Sequence, residues 1–161
     1  MSKIKYKNIV LFSFVSMIII FLLITNYITK NFDFKLAETM FFLTVPKFIE
    51  TSKNFRPEHI HSYIIMATSI DIIWPISYCL FFFIINEKLI LHKKKKKLVN
   101  IYILFIFLID MSENYLTARY LMTNNNKMAT LSVLATNLKW LSIFFIIIIS
   151  IIGIVKYFKK K

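Results

Sequence analysis

Residues 62–86 read SYIIMATSIDIIWPISYCLFFFIIN, and the only charged residue among them is Asp71. A helix crosses the hydrocarbon core of a bilayer with about 20 mainly apolar residues. This stretch meets that length, and three others match it. Asn8 to Thr29 carries no charge. Leu98 to Met122 is apolar at first and then carries Asp110, Glu113 and Arg119. Met128 to Val155 carries only Lys139. These spans predict an all-α, integral-membrane four-helix bundle, a single domain over residues 1–161.

Composition agrees with that class. The chain has 161 residues, 58% hydrophobic and 18% charged, against about 45–50% and about 25% in soluble domains. Mean hydropathy is +0.65. So small a soluble body has too little interior to hide this much apolar surface. One glycine and three prolines exclude collagen-like and low-complexity classes. The single cysteine, Cys79, allows neither an intrachain disulfide nor a cysteine metal site.

The first span follows a basic stretch, Lys3, Lys5 and Lys7, as a signal peptide would. It is longer than a typical apolar signal core and ends in Thr25-Asn26-Tyr27, without small cleavage-site residues. It is therefore read as an uncut span. The net charge of +13 sorts by side. Lys3, Lys5 and Lys7, then Lys88 and Lys93 to Lys97, then Lys156 and Lys159 to Lys161 fall on one side of four spans. The opposite side carries the near-neutral 30–61 segment and the short turn around Asn124, Asn125, Asn126 and Lys127. The positive-inside rule places both termini in the cytoplasm. Heavy use of Ile and Lys points to an AT-rich bacterial genome, so the membrane expected is a bacterial cell membrane. The run Lys93, Lys94, Lys95, Lys96 and Lys97 is read as a topology signal that meets anionic lipid headgroups, not nucleic acid.

In the 30–61 segment Phe34, Ala37, Phe41, Val45 and Phe48 recur at helical spacing. This predicts a helix lying on the outer interface, bent or ended by Pro46. Glu38 is expected as a solvated border residue. Pro57 and Glu58 look like the first turn of span two. His59 and His61 point about 200° apart on a helix, a poor metal pair. No metal site or cofactor is expected.

The polar residues inside the spans form the candidate site, because ionisable groups there are costly and face the bundle interior or a wet cavity. Asp71, Trp74, Pro75 and Tyr78 share one face of span two by i, i+3, i+4, i+7 spacing, with Thr68 one turn before. Pro75 has no N–H, so the Asp71 carbonyl loses its helical donor and a kink is expected. On span three Asp110, Glu113, Asn114 and Thr117 repeat the spacing, while Arg119 turns away. On span four Lys139 lies deep, with Thr136 on its face, Trp140 beside it and Asn137 turned further round. At about 1.5 Å per residue, Asp71, Glu113 and Lys139 all lie roughly 13–17 Å from the outer end. Span one, with only Ser13, Ser16, Thr25 and Asn26, is read as a packing helix.

Three carboxyl groups facing one lysine in a low-dielectric interior cannot all carry charge at once, so shared protons and coupled titration are expected. Asp110 and Glu113 are candidate acid and base. Asp71, Trp74, Tyr78, Asn114, Thr117, Asn137, Lys139 and Trp140 are candidate ligand-binding residues. Gly-based nucleophile elbows, nucleotide loops and zinc motifs are absent from the sequence.

The run Asp71-Ile-Ile-Trp-Pro-Ile-Ser-Tyr78, followed by Asp110-Met-Ser-Glu-Asn114, resembles a set of small four-span bacterial membrane proteins. In these an Asp-x-x-aromatic-Pro-x-x-Tyr motif precedes Asp-x-x-Glu-Asn and a lysine sits on the last span. The resemblance covers spans two to four and implies a shared polar site, with no activity attached. A weaker likeness is to sterol-isomerase-like membrane proteins. They gather acidic residues and an Asn-x-x-Trp inside a bundle, and Glu113, Asn137 and Trp140 match here. This chain differs by Lys139 between the last two and by its span two.

Three functions compete at this stage. One is binding or conversion of a lipid-like molecule, with Asp71 orienting Lys139. The second is a proton- or cation-coupled transporter or channel subunit, oligomeric because four helices enclose little room. The third is a structural or assembly protein whose polar knot fixes helix packing.

Overall fold

A computed structural model describes residues 3–32, 36, 40, 43–89 and 93–159, and these are almost wholly helical, with no strand among them. The elements are α1 (Lys3–Asn31), α2 (Val45–Ser52), α3 (Pro57–Ile65), a π-helical turn (Met66–Ile70), α4 (Asp71–Leu89), α5 (Lys93–Thr123) and α6 (Asn126–Lys159). Four stretches are long and apolar enough to cross a membrane: Asn8–Ile28, Pro57–Glu87, Lys95–Thr123 and Asn126–Lys156.

The asparagine run between α5 and α6 makes their tight connection. Asn124 adopts φ 51° and its N–H donates to the Tyr120 carbonyl at 2.7 Å, ending α5. Asparagine tolerates this left-handed conformation better than most side chains do. The Asn125 side-chain oxygen then accepts the Lys127 N–H at 2.9 Å and caps the start of α6.

The helices are not equivalent. α4, α5 and α6 pack against one another, whereas α1 lies chiefly along α4. Phe14 meets Phe81 with ring centroids 5.6 Å apart, and Phe21 meets Trp74 at 5.3 Å. The outward faces of all four are strongly apolar, with Phe12, Leu23, Leu104 and Phe144 among the most exposed side chains.

The segment before α3 departs from the expected interfacial helix. Phe34, Ala37, Glu38 and Phe41 lie outside the described residues. Leu36, Met40, Leu43 and Thr44 are not helical. Pro46 does not end a helix but stands in the first turn of α2, where its missing N–H would have no helical acceptor anyway. Phe32, Leu36, Leu43 and Phe48 are buried against Tyr63, Met66, Tyr120, Leu121, Ala129 and Val133. Phe32, Leu36, Leu43 and Phe48 thus cap one end of the bundle, here termed the loop end.

A second apolar cluster, Tyr78, Phe82, Ile103, Ile106 and Ile146, fills the bundle toward the lysine-rich end. Asp110, Glu113, Thr136 and Lys139 lie in the layer between the two clusters. That layering desolvates them from both directions.

Candidate functional site

A widened turn lies just before Asp71 in the second span, N-terminal to Pro75, where the kink is expected from the sequence. Asp71 N–H donates to the carbonyl of Met66, five residues back, across the π-helical turn. The Thr68 hydroxyl donates to the Ile64 carbonyl at 2.7 Å, and the Ser69 hydroxyl to that of Ile65. Pro75, buried one turn further on, cannot donate to Asp71 and crowds its carbonyl. Such π-helical turns recur at functional sites because they re-aim side chains. Here the turn delivers Asp71 to the α5 side of α4.

At the centre, Lys139 of α6 meets two acids of α5. Its Nζ pairs with Asp110 Oδ1 at 3.4 Å and with Glu113 Oε2 in a closer contact. The side chains of Lys139, Asp110 and Glu113 are 11%, 3% and 0% exposed. The remaining carboxylate oxygens are also served. Tyr78 O–H donates to Asp110 Oδ2 at 2.7 Å, and Thr136 O–H donates to Glu113 Oε1 at 2.6 Å. Buried ions tolerate desolvation only when paired and hydrogen-bonded in this way. Lys139 also lies 5.5 Å from the ring centroid of Trp140.

One turn toward the loop end, Thr117 and Ser132 share a hydrogen bond of 2.6 Å. The Thr136 hydroxyl is also 3.0 Å from the Ser132 carbonyl. Ser132, Thr136 and Lys139 stand at i, i+4, i+7, so the stripe is readable from spacing. Ser132 and the Thr136–Glu113 bond were not expected, because a helical hydroxyl commonly bonds its own backbone.

Asp71 is arranged differently. It is only partly buried and accepts Asn114 Nδ2 on Oδ2 at 2.8 Å. It lies within electrostatic reach of Asp110 and Lys139 but forms no ion pair among the described residues. Asn114 is 4% exposed, and its Oδ1 is buried without a hydrogen-bond partner among the described residues. A buried acceptor left empty costs about 1–3 kcal/mol. The α4–α5 seam therefore carries an acid and an amide oxygen with acceptor capacity to spare.

The other expected residues divide. Trp74 sits between the rings of Phe21 and Tyr78, at 5.3 and 5.6 Å, and links α1 to the site. Asn137 turns to the loop-end cap. Its Nδ2 donates to the Leu43 carbonyl at 2.8 Å, and its Oδ1 accepts the Leu43 N–H at 2.9 Å. This reciprocal pair fastens the 43–44 segment to α6 above Lys139. Nothing in the sequence signals it, because the partner is backbone in an irregular stretch.

No family model, curated protein or solved structure matches this chain.

Proposed function

We propose that this chain is a multi-pass protein of a bacterial cell membrane, with both termini in the cytoplasm, and that it binds a lipid-like molecule bearing a hydroxyl or amino head group at Asp71 and Asn114. The four long apolar helices, their apolar outward faces and the sorting of lysines support the placement. One observation carries the binding site: a partly open carboxylate beside a buried amide oxygen that lacks a donor, both on the α4–α5 seam. Acceptors without donors select a ligand that donates, and a third acid beside one lysine favours a cationic or neutral head over an anionic one.

In this reading the Lys139 knot holds the layer in shape and Asp71 meets the ligand. For Asp110 and Glu113 to act as acid and base, the lysine clamp around them has to open.

The chain has two tryptophans, Trp74 and Trp140, and both lie at the site. Tryptophan fluorescence in detergent micelles therefore reports occupancy directly. A long-chain amine or alcohol is expected to change it saturably, and an alkyl phosphate is not. Asp71→Asn should weaken the response at least ten-fold. An unaltered response in that variant removes the reading.

A proton- or cation-coupled role is the second reading. It is favoured by the continuous series Tyr78, Asp110, Lys139, Glu113 and Thr136, each in contact with the next. Proteoliposome flux abolished by Asp110→Asn supports it, and unchanged flux rejects it.

A further inference from the structure

The lysine-rich end of α5 carries a second feature, far from the Lys139 layer. A groove of about 440 Å³ is lined by Lys96, Lys97, Asn100, Ile101 and Leu104. Its wall is polar at one end and apolar at the other. From Lys97 to Leu104 the helix rises about 10 Å, enough to pass from a headgroup layer into acyl chains.

The polar end is held in place by neighbours on α4. Lys96 Nζ donates to the Glu87 carbonyl at 2.8 Å and pairs with Glu87 Oε2 at 3.2 Å. Asn86 Nδ2 donates to Asn100 Oδ1 and to the Lys96 carbonyl. The one acid in this network is thus matched by Lys96. Lys95 and Lys97 are exposed and form no ion pair among the described residues. An excess of positive charge stands over an apolar track.

We propose that this groove holds one anionic phospholipid, its phosphate against Lys97 and an acyl chain along Ile101 and Leu104. The pairing follows from charge complementarity at the head and apolar contact at the tail, each of which alone gives only weak association. The assignment rests on the helices spanning a membrane, as proposed above. It makes a defined site out of what would otherwise be diffuse attraction of lysines to a charged surface.

The test is native mass spectrometry of the delipidated protein titrated with dioleoylphosphatidylglycerol or dioleoylphosphatidylcholine. The expected result is a single tight adduct with the glycerol lipid, at least ten-fold preferred over the choline lipid. Lys97→Gln should weaken it about five-fold, the effect of one lysine at a charged surface. Lys156→Gln, which removes an exposed lysine on α6 outside the groove, should leave it unchanged. Glycerol 3-phosphate, which has the head but no tail, should give no adduct. Equal loss in the two lysine variants, equal binding of the two lipids, or an equally tight glycerol 3-phosphate adduct would overturn the proposal. Fluorescence titration with a long-chain amine on the same sample keeps failure of the groove distinct from failure of the Asp71 site.

Discussion

Two acids of one layer have opposite surroundings. Glu113 is fully buried, with Lys139 on one oxygen and Thr136 on the other. Asp71, on the facing helix, is partly open, accepts a bond from Asn114 and forms no ion pair among the described residues. The first environment is what a buried ion needs to persist. The second leaves acceptor capacity that no described residue takes up. Polar groups inside a helical bundle thus separate into those that hold helices together and those that remain available to something else.

The largest effect is expected where the comparison is broken at its centre. Lys139→Met strands two buried carboxylates and should cost about 3–5 kcal/mol, read as a fall in the unfolding midpoint in detergent. Adding Asp110→Asn and Glu113→Gln to it should recover most of that loss, because removal of a whole buried ionic group is often near neutral. No recovery would show that the knot does more than balance its own charges.

Tyr78→Phe comes next. It removes a hydrogen bond to a charged, buried acceptor and should cost about 1.5–3 kcal/mol. Asn137→Leu leaves the N–H and carbonyl of Leu43 without their partners, at about 1–3 kcal/mol. Its readout is local: faster amide hydrogen exchange at Leu43, with α5 and α6 unaffected. Exchange that rises throughout the bundle would show that the cap and the knot form one cooperative unit. The smallest stability change belongs to Asp71→Asn, under about 1 kcal/mol, with loss of amine binding. This variant sharpens the comparison most, since it should separate stability from occupancy.

Much of this was legible because helix geometry is rigid. Fixed rise and spacing bring Asp71, Glu113 and Lys139 to one level, with Asp110 slightly deeper, from the sequence alone. Partner choice was not legible. Spacing cannot decide which acid takes Lys139, and both on α5 do. Asn137 stands on the lysine-bearing helix but belongs to the cap, because its partner is the irregular backbone at Leu43. Pro46 shows the same limit: a proline can begin a short helix as readily as end one, and only the buried face of α2 decides. The widened turn at Met66–Ile70 lies before Asp71, not at Pro75 where the sequence points to a disturbance, and the Thr68 and Ser69 hydroxyls that bond its backbone could equally have faced outward.

Whether Asp71 and Asn114 hold something that is not protein decides between a binding site and a sealed seam. A high-resolution cryo-EM map of the chain in a nanodisc of native lipids measures this directly. The prediction is elongated non-protein density on the α4–α5 seam, with its polar end within hydrogen-bond distance of the Asp71 carboxylate and Asn114 Oδ1. A sealed seam, in which Asn114 Oδ1 takes a donor from the protein itself and lipid stops short of Asp71, would contradict it.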